Sequence, residues 1–306
     1  MLSDTARTEI QALMGRYPRA RSAIVPALYV AQREIGWLPT EVMDEIASIF
    51  DMEPMEVYAI AGFYNMLYKE PKGRFHLEIC TNVPCMLRGA NEIADYLKQR
   101  LGINFGETTP DGNFTLDHME CLGSCATAPM MFARRTRSAW GRYYENLTPE
   151  RVDAILQELL ENEDLPMAPD PAGPYHHDHH PETNFLLARI DKPDSHTIES
   201  YLADGGYQAA ARTLQMDPAD VIETVKRAGV RGRGGAGFPA GVKWGFIPKD
   251  VFPRYLVVNC DESEPGTFKD RLIVENDPHQ LLEGIIDTCW AIQAHYAFIY
   301  VRGEYM

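Results

Sequence analysis

Phe75-His-Leu-Glu-Ile-Cys80-Thr-Asn-Val-Pro-Cys85 opens on a two-residue alternation and closes on two cysteines. Phe75, Leu77 and Ile79 alternate with His76 and Glu78, the period of a β-strand, so a strand should end at Cys80. A helix follows, with Ala90, Ile93, Leu97 and Leu101 on one face and Gly102 as its stop. Phe114, Leu116 and His118 then form a second strand, which delivers Cys121-Leu-Gly-Ser-Cys125. Both cysteine pairs therefore fall where strands give way to loops, and two such loops can converge on one point.

The rest of this region extends the pattern. Met130 to Arg134 and Arg142 to Tyr144 read as a hairpin. Thr148-Pro149-Glu150 opens a helix: Thr as N-cap, Pro in the first turn, and an acid near the positive helix end. The expected fold is an α/β sandwich of thioredoxin-like size.

Four thiolates in two close pairs suit a [2Fe–2S] cluster, where each iron takes two protein sulfurs and shares two sulfides with its neighbour. Gly123 lets the chain approach closely, and Cys85 stands near a helix start, where the dipole favours a thiolate. The spacing is four residues, then 35 (86–120), then three. Zinc sites usually use C-x2-C pairs, and plant-type ferredoxins use C-x4-C-x2-C with a distant fourth. Neither fits; structural zinc and disulfides remain the alternatives. Cys260 and Cys289 are expected to be small buried residues.

Outward from this core, residues 1 to about 70 read as helical, with Ile10, Leu13, Met14, Ile24, Leu28 and Ala31 at helical spacing. The N-terminus leads into a polar amphipathic segment and no apolar run approaches a membrane span, so a reducing compartment is expected. A net charge of −15 argues against a nucleic-acid partner. Pro166, Pro169, Pro171, Pro174 and Pro181 mark 162–183 as a linker, with His176, His177, His179 and His180 inside it. The expected domains are 1–161, the linker, and 184–306.

The second domain carries Gly232-Arg-Gly-Gly-Ala-Gly237, which spells G-x-G-x-x-G but follows a helix, so it is not a Rossmann turn. Consecutive glycines can still present backbone N–H groups to a phosphate, with Arg231, Arg233 and Lys243 adding charge. A buried strand is expected over Tyr255 to Asn259, then an acidic loop to Asp270, a helix from Asp277-Pro278, and a strand over Ala297 to Val301. Strand, helix, strand with that crossover implies parallel pairing. Two parallel strands cannot bury both faces alone, so the domain reads as cut short.

Gly62-Phe-Tyr64, Cys80 to Cys85, Glu120-Cys-Leu-Gly-Ser-Cys125, Ala128-Pro129 and Tyr143 to Glu150 resemble the thioredoxin-like [2Fe–2S] subunit of respiratory NADH:quinone oxidoreductase (complex I). One departure is the hairpin Met130 to Arg142, several residues long, with Arg134, Arg135, Arg137 and Trp140; it reads as a longer exposed hairpin, with docking as the alternative. Arg231 to Pro239, Gly241-Val-Lys-Trp244 and Asn259 to Arg271 resemble the start of the flavoprotein subunit of the same complex. The resemblance implies a fusion of the two, in an α/β chain with a helical start, a thioredoxin-like ferredoxin domain and a truncated flavin-binding domain.

By that resemblance Cys80, Cys85, Cys121 and Cys125 would hold the [2Fe–2S] cluster. Gly232, Gly234, Gly235, Lys243, Asn259, Asp261 and Glu262 would contact FMN, and Phe238, Phe246 and Glu264 would line the nicotinamide pocket. Ala240 stands where the family usually has threonine. NADH would hand a hydride to FMN, and the flavin would release electrons singly to the clusters. No general acid or base is required of this chain. The expected partners are other subunits of a membrane-associated NADH dehydrogenase complex, with the chain peripheral on the cytoplasmic face of the inner membrane. The family's later flavin loop and [4Fe–4S] domain are missing from the 306 residues, which puts flavin binding and activity of the isolated chain in question. Three alternatives stand beside this: the diaphorase part of an NAD-dependent formate dehydrogenase or hydrogenase, a non-enzymatic [2Fe–2S] carrier or assembly subunit with a vestigial flavin half, and an incomplete gene product without independent function.

Overall fold

The structure is a computed structural model that describes residues 1–138, 140–162, 165 and 185–305. The expected linker over 162–183 and its histidines fall almost wholly outside these residues. The described residues divide into two compact units: one from Met1–Tyr175 with Ser263–Thr267 and Gly303–Met306, the other from His176–Glu262 and Phe268–Arg302.

The first unit begins with four helices: α1 (Asp4–Met14), α2 (Ile24–Ile35), α3 (Thr40–Phe50) and α4 (Pro54–Phe63). Ser3 caps α1 by accepting from the Ala6 N–H, and Gly36 ends α2 in the left-handed region. Ile10, Leu28, Leu38, Ile46 and Val57 form one apolar core between these helices.

The sheet follows. Its strands are β1 (Phe75–Cys80), β2 (Glu107–Thr108), β3 (Phe114–Met119), β4 (Met131–Arg135) and β5 (Gly141–Tyr144), in the order β2-β3-β1-β4-β5. β1 pairs parallel with β3 and antiparallel with β4, which turns back into β5 as the expected hairpin. The short α5 (Val83–Leu87) and then α6 (Ala90–Leu101) lie between β1 and β2, and α7 (Pro149–Glu161) ends the region. Thr148 caps α7 through the Arg151 N–H at 3.3 Å, as its sequence implies.

The alternation in β1 sorts its residues by chemistry. Phe75, Leu77 and Ile79 pack with Ile93 and Leu97 of α6 and with Val152 and Ile155 of α7. His76, Glu78 and Cys80 point to the other face. That face is also covered, so all six residues of β1 are buried. A polar network holds the helical segment against it. Buried Arg134 of β4 donates to Tyr68 Oη at 2.9 Å and to the Met66 carbonyl at 2.7 Å. Gln32 of α2 donates to the same carbonyl and accepts from the Tyr68 N–H. His76 bridges Tyr68 Oη and Asp117 Oδ2, which also takes a bond from Lys72. Arg134 is therefore not a surface cation of an exposed hairpin. It is 1% exposed, because its carbonyl and hydroxyl acceptors lie inside.

The second unit holds α8 (Ile198–Ala203), α9 (Gln208–Thr213), α10 (Pro218–Ala228), α11 (Ala240–Trp244), β6 (Tyr255–Cys260), α12 (Lys269–Asn276), α13 (Pro278–Ile292) and β7 (Tyr296–Val301). Glu283 of α13 organises the helices: it accepts from Tyr201 Oη and from the Tyr207 and Ala210 N–H groups at the head of α9. β6 and β7 pair parallel, as the crossover requires. The expected burial of Tyr255 to Asn259 does not hold. Among the described residues β7 is the only strand beside β6, and Val257 is 64% exposed.

Candidate functional site

β1 and β3 run parallel and end side by side, Cys80 opposite Met119. Hydrogen bonds from Cys80 N to the Met130 carbonyl and from Thr81 N to the Met119 carbonyl pin the chain where it leaves β1. Asn82 caps α5, which carries Cys85 in its first turns. Cys80 and Cys85 are buried with Met66, Ala90, Leu122, Met130, Phe132 and Tyr143 in a compact apolar cluster. Cys121 is 9% exposed, and Cys125 is the least covered of the four.

The thiols are arranged as two couples. The Cys85 thiol beside it lowers Cys80, helped by the Asn82 and Leu122 backbone N–H groups. The Cys85 thiol is pushed up by its hydrogen bond with Cys80, and the Cys125 thiol by its hydrogen bond with Cys121. Among the described residues no three His, Cys, Asp or Glu side chains gather around a single-ion site. A two-iron cluster asks for no such group, because each iron needs only two thiolates. Paired soft donors, three of them buried and flanked by backbone N–H groups, fit that cluster.

The second cysteine loop is held from below. Glu145, just after β5 and 5% exposed, accepts from Ser124 Oγ and from Thr127 Oγ1 at 2.8 Å. The Tyr143 hydroxyl donates to the Leu122 carbonyl at 2.8 Å. Gly123 adopts φ +71, and a Cβ there would stand 2.5 Å from Tyr305 Oη. That approach is the physical reason for glycine at this position. Sequence reasoning gave Glu145 no role, although it lies within the run Tyr143 to Glu150.

The second nominated site lies largely on the surface of its unit. The glycine stretch forms a closed loop: Arg231 bridges Pro239, the Gly232 N–H donates to the Phe238 carbonyl at 2.9 Å, and Arg231 Nη1 bonds the Gly237 carbonyl. A Cβ at Gly234 or Gly235 would meet nothing within 4 Å, and Gly235 has φ +120. That open, glycine-lined rim fits the approach of a phosphate group. Lys243 is exposed on α11, and the Phe238 and Phe246 rings lie 6.0 Å apart, both exposed. Asn259 Oδ1 accepts from the Asp261 N–H at 2.9 Å at the end of β6. Glu262 differs from the other nominees. It is buried, and its carboxylate accepts from the Asp270 and Arg271 N–H groups and from Lys269 Nζ, capping α12. Glu264 belongs to the first unit. A cavity of about 640 Å³ among Leu214, Phe252, Ile285, Ile286 and Trp290 includes none of the nominated residues.

A five-stranded mixed sheet with cysteine pairs at the ends of two parallel strands defines a thioredoxin-like ferredoxin, here followed by an α/β domain with a glycine-rich loop. Residues 10–160 match the thioredoxin-like [2Fe-2S] ferredoxin family, and residues 225–306 match the Nuo51 FMN-binding domain. The chain is 48% identical over 155 residues to an NADH-quinone oxidoreductase subunit of Rhizobium meliloti (strain 1021), covering 51% of this chain and 89% of that protein. It is 57% identical over 122 residues to a different NADH-quinone oxidoreductase subunit, from Aquifex aeolicus (strain VF5), covering 40% of this chain and 29% of that one. Both regions align together with the alpha subunit of the NAD-reducing hydrogenase HoxS of Cupriavidus necator, 28% identical over 97% of this chain and 48% of that protein. The crystal structure of an NAD+-reducing [NiFe]-hydrogenase in the air-oxidized state superposes with a TM-score of 0.69 at 28% identity, over 92% of this chain and 46% of that one. The chain belongs to the thioredoxin-like [2Fe–2S] ferredoxin family, with that domain fused to a region that matches the Nuo51 FMN-binding domain. It spans less than half the length of the Aquifex and hydrogenase relatives.

Proposed function

We propose that this chain is an electron-input module of NADH:quinone oxidoreductase, carrying electrons from NADH by way of FMN to iron–sulfur clusters that include its own. The observation that carries this is the union, in one chain, of a ferredoxin domain with paired buried cysteines and an FMN-binding domain. Cys80, Cys85, Cys121 and Cys125 are the cluster ligands. Bound FMN supplies the conversion of a two-electron donor into single electrons, which nicotinamide cannot perform. Gly232, Gly234, Gly235 and Lys243 receive its phosphate, the glycines through open backbone and Lys243 through charge. Asn259 and Asp261 meet the flavin at the carboxyl end of β6, where α/β proteins bind ligands. Glu262 serves the same site by fixing that loop on α12. Phe238 and Phe246 offer apolar faces to the nicotinamide, with Glu264 as its polar partner.

Among the described residues no helix is long and apolar enough to cross a membrane. The module works bound to partner subunits of a membrane-associated complex, on the cytoplasmic face of the inner membrane. Residues 1–161 are the ferredoxin domain, 162–183 the tether, and 184–306 the flavin-binding part. A second reading has one observation in its favour. The hydrogenase alpha subunit matches both modules in one chain, so the diaphorase part of an NAD-reducing hydrogenase is the competing assignment.

The test is to isolate the chain with its bound partners anaerobically, assay released flavin, and titrate with NADH. Flavin bleaching followed by reduction of a [2Fe–2S] signal, with NADH–ferricyanide activity, is the expected result. An intact cluster that NADH leaves oxidised, in a complex without flavin, contradicts it. Partner identity, quinone-reducing or hydrogen-activating, separates the two assignments.

A further inference from the structure

The second cysteine loop has a neighbour that its own sequence does not supply. Ser263–Thr267 belongs to the same compact unit as the cysteines, although 137 positions (126–262) separate it from Cys125. Its Gly266 N–H points at Cys125 Sγ, 3.2 Å away. Tyr305, from another distant segment of that unit, packs against the apolar cluster around Cys80 and Cys85 and covers Gly123.

The local sequence explains why this amide is available. The Thr267 N–H donates to the Glu264 carbonyl at 3.0 Å, closing a four-residue turn over Glu264-Pro-Gly-Thr267. Pro265 stands at its second position and Gly266 at its third, with φ +82. These are the residues and the sign of φ that define a type II turn. In such a turn the middle peptide is not used by the closing hydrogen bond, so the Gly266 N–H is directed outward. Cys125 is the least covered of the four cysteines, and the amide lies within hydrogen-bond distance of its sulfur.

We infer that the Gly266 N–H is an outlying hydrogen-bond donor to the cluster: through Cys125 Sγ it raises the cluster's reduction potential. The inference rests on the cysteine assignment proposed above. Reduction adds one electron, and hence one negative charge, to an iron–sulfur unit that four thiolates already make anionic. An N–H dipole aimed at a ligand sulfur stabilises that added charge and favours the reduced form. The three better-buried sulfurs lie among donors and apolar groups of the ferredoxin domain; Cys125 draws its donor from the loop that follows β6. The chain segment nominated for nucleotide binding therefore also sets how readily the cluster accepts an electron.

Pro265-Gly266 is the only Pro-Gly pair in the sequence, so carbonyl-13C proline with 15N glycine labels one amide selectively. In the cluster-loaded full chain this signal should be paramagnetically shifted or broadened, and should change again on dithionite reduction. A sharp signal at an ordinary amide position in both states overturns the inference. A second measurement uses the double variant Pro265→Ala/Gly266→Ala, which replaces the type II turn with one whose middle peptide is rotated away. Its cluster should be harder to reduce, by about tenfold in the oxidised-to-reduced ratio at fixed potential, or about 59 mV for one electron. An unchanged potential overturns the tuning role. Visible and EPR spectra of the same samples report separately whether a [2Fe–2S] cluster is present, so failure of the ligand assignment is distinguishable from failure of the Gly266 contact.

Discussion

Two parallel strand pairs lead into the two candidate sites of this chain, under different conditions. β1 and β3 end in the cysteine loops; β6 ends at Asn259 and Cys260 and leads into the Asp261-Glu262 stretch, and β7 runs beside it. β1 is the centre strand of five, with α6 and α7 on one face and a polar network beneath the helical segment on the other. β6 has one neighbouring strand among the described residues, and its side chains are largely exposed. The difference separates two ways of making a site. Thiolates that share a cluster must be fixed within fractions of an ångström and kept from water, which only a buried framework provides. A flavin or nucleotide brings its own large surface, so its residues can stand open until it binds.

The predictions test that contrast. The largest effect is expected from Cys80→Ser, which removes a sulfur at the end of the most buried strand: visible absorption and the EPR signal of the cluster should be lost. Retention of a normal [2Fe–2S] spectrum would mean that another residue provides this ligand. Arg134→Ala should cost about 3 kcal/mol in denaturant unfolding, because it removes the charged donor to the buried Tyr68 hydroxyl and Met66 carbonyl. A change near zero would mean that the helical segment is not fastened through this network. Glu145→Ala should cost about 2 kcal/mol, since Ser124 and Thr127 lose a buried acceptor. It should also speed loss of iron to a chelator. Equal iron retention in variant and parent would remove Glu145 from the positioning of Cys125.

Glu262→Ala tests the open site. Loss of the cap on α12 should cost about 1 kcal/mol. Hydrogen exchange should quicken in 269–276 and stay unchanged in β1. Spread of the effect to β1 would break the contrast between the two sites. The smallest effect concerns acid. Burial pushes the Asp117 carboxyl up, but bonds from His76 and Lys72 outweigh it and hold the group at about 2, below its ordinary 3.8. A depressed folded value gives stability that is present above 3.8 and fades as pH falls through about 2. Asp117→Asn should therefore flatten the acid limb of the stability curve in that window; an unchanged limb would assign acid unfolding to other carboxylates.

Legibility in the sequence followed the same division. The period of Phe75 to Ile79 and the Thr148 cap are local signals, and each corresponds to an observed element. The crossover before β7 correctly implied parallel pairing, because handedness and connection length leave few choices. Arg134 misled because a run of arginines in a hairpin looks like surface. Its burial depends on Tyr68 and the Met66 carbonyl, more than 60 positions away. Tyr255 to Asn259 misled in the opposite sense, since an apolar run does not reveal how many neighbours a strand will find. Glu145 and Gly266 act on the cysteine loop across 18 to 141 positions, and no local period marks such contacts.

The central claim is that four cysteines hold two irons as two thiolate pairs. Iron and zinc analysis with a Mössbauer spectrum of the 57Fe-loaded chain, before and after one-electron reduction, tests it most directly. The account predicts two irons per chain with no zinc, two ferric sites before reduction, and one ferric and one ferrous site afterwards. A single iron or zinc bound by all four sulfurs would contradict it.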